Sequence, residues 1–159
     1  MSKNKITPFL WYDKDAEEAA NFYVSIFKNA KINTVARYPE GSSYQAGAVM
    51  TVAFELDGQH FTAINGGPHF KLDEAVSFVI DCDGQQEVDY YWERLLAGGG
   101  QESQCGWLKD KYGLSWQVTP RQLIELTTSS DKAQNNRVFA AMMTMKKIDV
   151  AALERAARG

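Results

Sequence analysis

The chain has 159 residues, 45% of them apolar and 23% charged, which suits one globular domain or two small similar modules sharing a core and leaves no room for a separate cofactor domain. Its formal charge is -3, and no basic run is present that would neutralise a string of phosphates, so nucleic acid is not expected as a partner. No apolar run reaches the roughly eighteen residues that a membrane span needs. The N-terminal MSKNKITPFLWY lacks a long apolar segment, and Cys82 and Cys105 lack the spacing of a structural zinc site. A cytoplasmic protein with free thiols is the expectation.

Residues 6–12, ITPFLWY, read as a strand. Asp15 with Glu18 has the spacing of a capping box and predicts a helix start, and Ala16, Ala19, Ala20, Tyr23, Ile26 and Phe27 then form one apolar stripe. After KINTVARY comes the loop PEGSSYQAGA. VMTVAFEL and QHFTAIN follow, joined at Asp57-Gly58, a pair suited to the positive φ of a tight hairpin. The first half therefore reads βαβββ.

The pattern then repeats. EAVSFVIDC is a strand, Asp83 with Gln86 suggests a second cap, and Val88, Tyr91, Trp92, Leu95 and Leu96 form a helical stripe ended by Gly98 to Gly100. The aromatic pairs Phe22-Tyr23 and Tyr91-Trp92 lie 69 residues apart, which marks a duplicated module. CGWLKDKYGLSWQ supplies a hairpin. A turn centred on Lys111-Tyr112 would set Trp107 opposite Trp116 and Gly106 opposite Gln117, with Lys109, Asp110 and Lys111 solvated. Gly106 then either leaves room for a ligand beside Gln117 or relieves crowding at a strand edge. Beyond Pro120, three helix-forming segments follow, with Asp131 and Asp149 as caps and Val138, Phe139, Met142 and Met145 as a packing stripe.

Three segments, ITPFLWYDKDAEEAANFYVSIF, INGGPHFKL and CGWLKDKYGLSWQVTP, together resemble the PhnB-like family, also labelled 3-demethylubiquinone-9 3-methyltransferase-like. That family belongs to the vicinal-oxygen-chelate superfamily of glyoxalase I, bleomycin-resistance proteins and extradiol dioxygenases. The likeness runs from residue 6 to the ALERAARG tail. It implies an α+β fold in a single domain over residues 1–159. Module one would span about 5–66, module two about 74–120 and a helical tail about 121–159, with the sheets curled around a ligand cavity in a homodimer.

The superfamily hosts several reactions as well as binding proteins, so the residues must decide the chemistry. In metal-dependent relatives one ligand comes from each of four strands. Aligned on the resemblance, those positions fall near Pro8, near Phe61, at Ala75 or Ser77, and at Gln117. Proline and phenylalanine cannot ligate, and a neutral glutamine is a weak ligand, so neither a metal nor another cofactor is expected. If Phe61 faces the cavity, alternation turns His60 away from it, while His69 sits in a loop. No glycine turn between a parallel strand and a helix is available for S-adenosylmethionine.

Strand parity sets Ser77 and Val79 on one side of their strand, with Phe78, Ile80 and Cys82 toward the helix, and pairs Ser115 with Gln117. Cys105 has no neighbouring base in sequence and reads as an inert thiol. Asn65 is either a turn residue or a cavity hydrogen-bonder. The functional expectation is a small-molecule binder in which Asn65, Ser77, Ser115 and Gln117 supply hydrogen bonds while Phe61, Trp107 and Tyr12 form apolar walls, with Tyr44 and its loop closing over the ligand. The alternative is a glyoxalase, dioxygenase or methyltransferase-like enzyme acting on a small quinone-like metabolite.

Overall fold

VMTVAFEL and QHFTAIN meet at Asp57-Gly58, and in the computed structural model, which describes residues 4–159, both turn residues take positive φ, 47° and 80°. That conformation matches the twist of the strands it joins, β3 (Val49–Leu56) and β4 (Gln59–Asn65). Before them come β1 (Phe9–Tyr12), α1 (Ala16–Ile26) and β2 (Lys31–Arg37). The sheet order is β1-β4-β3-β2, with β1 parallel to β4 and the other pairs antiparallel.

The stripe of α1 buries Ala16, Ala19, Ala20, Tyr23 and Ile26 against Leu10, Tyr12, Val52, Phe54, Leu56, Phe61 and Ala63 of the sheet. The capping box at Asp15 and Glu18 does not form. Instead Asn65, at the end of β4, accepts the Ala16 amide at 2.8 Å, so a side chain remote in sequence satisfies the first helical turn.

The second half repeats the topology with β5 (Ser77–Cys82), α2 (Gln85–Leu96), β6 (Gln101–Glu102), β7 (Trp107–Lys109) and β8 (Ser115–Pro120), in the order β5-β8-β7-β6. The expected cap at Asp83 is absent here too. Gly84, at φ 86°, occupies the cap position, and Glu87 reaches back to accept the Asp83 amide at 2.6 Å. Val88, Trp92 and Leu95 bury the helix.

The β7–β8 hairpin differs by one residue from the expected register. Trp107 pairs with Gln117, Leu108 with Trp116 and Lys109 with Ser115. The loop carries an extra residue, and Gly113 at φ 90° absorbs it. Because side chains alternate, this slip puts Trp107 and Trp116 on opposite faces and removes the expected tryptophan pair.

Asp131 and Asp149 cap α4 (Lys132–Met142) and α5 (Val150–Arg158), accepting the Gln134 and Ala152 amides at 3.0 Å each. With α3 (Arg121–Thr127) these helices build a small core of Leu123, Val138, Ile148 and Leu153. Phe139, expected in the packing stripe, is exposed. The described chain forms two compact units, residues 4–72 and 73–159, and the helical tail belongs to the second.

Candidate functional site

In the second unit, parity sorts the sheet into a helix face and an outer face. Ile80, Cys82, Leu108, Trp116 and Val118 are buried on the helix side, while Val79 stays 60% exposed. The outer face aligns Ser77 with Ser115, Val79 with Gln117, and Gln117 with Trp107. Gln117 Nε2 donates to Ser77 Oγ at 2.9 Å, and the buried Ser115 hydroxyl donates to the Asp73 carbonyl at 3.4 Å. Beside them a cavity of about 180 Å³ is lined by Trp107, Ser115, Lys109, Glu74, Gln101 and Glu102. Lys109 reaches Glu74 at 2.7 Å, and hydrogen bonds from Lys109 and from the backbone hold the Glu74 carboxyl below its ordinary value.

Four of the expected site residues, Ser77, Ser115, Gln117 and Trp107, therefore share one face. Lys109 and Glu74 were missed as neighbours. The correct hairpin register would have found Lys109, since it lies opposite Ser115.

The turn that positions this face depends on Asp110, which is 3% exposed rather than solvated as expected. Its Oδ1 accepts the Tyr112 and Leu114 amides at 2.9 and 3.1 Å, and its Oδ2 accepts Trp116 Nε1 at 2.9 Å. Gly106 leaves no ligand space. A Cβ there would stand 2.9 Å from the Val118 carbonyl and 3.1 Å from Ile148, because the tail fills the position. The Cys105 and Gly106 amides donate to the Met145 and Lys146 carbonyls at 2.9 and 2.7 Å, and Gln85 clasps the Ile148 carbonyl and the Val150 amide. Cys105 itself, at φ 57°, is half-buried with its thiol 3.6 Å from Met143 Sδ. Cys82 is buried, and its thiol is pushed up to about 12 by that burial and by the charges of Glu87 and Asp81.

In the first unit the placements differ from those expected. Phe61 is 5% exposed, stacked on Phe54 at 5.4 Å, and Tyr12 is buried with its hydroxyl 3.2 Å from that of Tyr23. Both lie on the helix side of the sheet. Asn65 shares that side, its oxygen on the Ala16 amide and its Nδ2 on the Val49 carbonyl at 3.2 Å, so it clamps α1 to the sheet. The reason is visible in QHFTAIN: Phe61 and Ala63 are the apolar alternation and belong toward α1.

Consequently His60 lies on the outer face. Its Nε2 is 3.0 Å from Glu55 Oε1, and Lys31 lies 3.3 Å from Oε2. Burial pushes the Glu55 carboxyl up. Hydrogen bonds from Lys31 and Asn33, with the charges of His60 and Lys31, outweigh it and hold the group below its ordinary value. His69 is exposed in a turn.

Tyr44 lies against its own unit. It stacks on Tyr38 at 4.3 Å and donates to the Gly66 carbonyl at 2.9 Å, while Tyr38 donates to the Asn65 carbonyl at 2.5 Å. The two rings border a cavity of about 480 Å³ with Asp13, Lys14, Glu17 and Asn65. Gly66 is required nearby, since any Cβ there would overlap the Trp11 ring.

The superfamily's metal does not fit these residues. Phe61 faces α1 and so is no ligand position of the outer face, Gln117 is neutral and donates its amide to Ser77, and no group of three or more His, Cys, Asp or Glu suited to a metal occurs among the described residues.

The family model described as 3-demethylubiquinone-9 3-methyltransferase matches residues 4–119. A Bacillus cereus structure described as a putative 3-demethylubiquinone-9 3-methyltransferase, PhnB protein, is 35% identical, with a TM-score of 0.67 over 74% of this chain and 99% of its own. A Pseudomonas aeruginosa protein aligns at 16% identity and TM-score 0.61, covering 74% of this chain and 98% of that one. The fosfomycin resistance protein FosX of Listeria monocytogenes aligns at 17% identity and TM-score 0.52, covering 76% and 94%. These two share the fold. No curated protein matches. The family match stops before α3, so the tail, which the resemblance was expected to include, lies outside it.

Proposed function

Because the chain belongs to the 3-demethylubiquinone-9 3-methyltransferase family, within the glyoxalase or vicinal-oxygen-chelate superfamily, we propose that it binds a small organic molecule on the outer face of its second sheet. The observation that carries this reading is the Gln117–Ser77 hydrogen bond beside Trp107. It fixes the amide and leaves Gln117 Oε1 and the Ser77 hydroxyl proton for a ligand. A cavity of about 180 Å³ suits a single ring, being close to the ~150 Å³ known to admit benzene. Lys109 and Glu74 add charged groups at its edge, giving an apolar wall with a few polar anchors.

Calorimetry and tryptophan fluorescence against single-ring quinones and phenols test this. Binding that weakens in Gln117→Ala and Trp107→Ala supports it, and no binding at millimolar concentration sinks it. The same reading makes the protein a homodimer, because Phe139 and Met143 of the helical tail stay 55% and 53% exposed, and light scattering tests that. Two free thiols suit a cytoplasmic setting. The enzymatic alternative, acting on a small quinone-like metabolite, draws support from the His60–Glu55 pair. A turnover panel with and without divalent metals tests it.

A further inference from the structure

Side chains from three strands form one row across the outer face of the first sheet. Lys31 on β2 lies opposite Glu55 on β3, which lies opposite His60 on β4. Glu55 is held from two sides, by Lys31 and by His60, opposite the register irregularity of β2 between Ile32 and Thr34. Bulged positions of this kind re-aim a side chain. The carboxylate is well enclosed at 16% side-chain exposure, whereas the imidazole keeps 34%. His60 Nδ1 has no partner among the described residues.

One pleat along, Thr62 pairs with Phe9 of β1, so the exposed Phe9 ring stands on the diagonal from His60. An exposed cross-strand contact between a carboxylate and a histidine ordinarily contributes little stability. This one differs in three respects: the carboxylate is held from two sides, the imidazole Nδ1 has no partner among the described residues, and an exposed phenylalanine stands one register step along on the neighbouring strand. A base oriented by a second group within hydrogen-bond reach is the arrangement that proton transfer uses.

We propose that His60, oriented by Glu55, is a general base for proton transfer from a planar aromatic carbon acid seated against Phe9. Nδ1 takes the proton, the C–H electron pair stays with the substrate, and the Glu55 carboxylate stabilises the imidazolium. The proton then passes to the product or to water, so no oxidant or cofactor is consumed. None of these residues belongs to the ligand site proposed on the second sheet.

The probe is 5-nitrobenzisoxazole. Removing its ring proton turns the C–H pair into the third bond of a nitrile, breaks the N–O bond and releases a coloured phenolate. The full-length protein should exceed an equal concentration of free imidazole by about 10²-fold, the lower end of general-base catalysis. His60→Gln should fall to the buffer rate. Glu55→Gln should lower kcat while sparing KM, because the carboxylate acts on the imidazolium formed in the transition state, and Phe9→Ala should raise KM. A wild-type rate no faster than imidazole overturns the proposal, as does a His60→Gln variant that keeps the wild-type rate. Neither result bears on calorimetric binding at Gln117.

Discussion

Replacing Asp110 tests whether one buried carboxylate holds the β7–β8 turn in register. In Asp110→Ala, the Leu114 amide and Trp116 Nε1 lose their partners in a buried setting, while the Tyr112 amide is partly exposed and regains water. Stranding a buried donor costs about 1–3 kcal/mol, so the two together cost about 2–6 kcal/mol, a large share of an ordinary domain's stability. Asp110→Asn keeps an oxygen for both backbone amides but turns an NH₂ toward the indole N–H, at a cost of about 2 kcal/mol. Urea unfolding followed by circular dichroism measures both. With a slope of about 2 kcal/mol/M, the alanine variant should unfold roughly 2 M earlier. In a Trp116→Phe background, which removes the indole N–H, the asparagine penalty should shrink by at least half. An alanine variant within about 1 kcal/mol of wild type, or an unchanged asparagine penalty in that background, refutes the reasoning.

Three further outcomes follow from the geometry. Glu55 has its carboxyl held below the ordinary 4.5, so its stabilisation is complete above that value and is lost as pH falls through the lower folded value. Urea midpoints between about pH 7 and 3 should accordingly fall less steeply in Glu55→Gln than in wild type. Asn65→Ala removes the α1 cap and the tie to Val49 and should cost about 1–2 kcal/mol by thermal melting, whereas Asn65→Asp keeps the capping oxygen but turns an acceptor toward the Val49 carbonyl and should recover only the capping part. Ellman's reagent at pH 8 should label Cys105 in the folded protein and Cys82 only after denaturation, because burial raises the Cys82 thiol to about 12.

The repeated βαβββ order, the Asp57-Gly58 hairpin, the caps at Asp131 and Asp149 and the burial of Cys82 were legible because each rests on neighbours a few residues apart. The α1 cap was not legible, since its acceptor, Asn65, arrives from the far end of the module. Trp107 reached the outer face by a different pairing from the one expected, because one extra turn residue moves every partner along the strand. Phe61 and Tyr12 were misplaced for another reason. Aligning Phe61 to a superfamily metal position overrode the apolar alternation of its own strand, which pointed to α1 and left His60 on the other side. Gly106 carried no local sign that Ile148, from the tail, fills its space.

Each sheet joins its first strand to its last, β1 to β4 and β5 to β8, in parallel. During synthesis this order has a cost in time. The aromatic strand β1 emerges from the ribosome well before β4 exists to pair with it, and β5 waits in the same way for β8. Such long-range parallel closure pays loop entropy before any contact rewards it, so folding should be slow for a chain of this size. In the interval Phe9 and Trp11 sit on an unpaired strand open to neighbouring chains. Overexpressed protein should therefore partition into inclusion bodies more readily when translation is fast, and slower synthesis at low temperature should recover it.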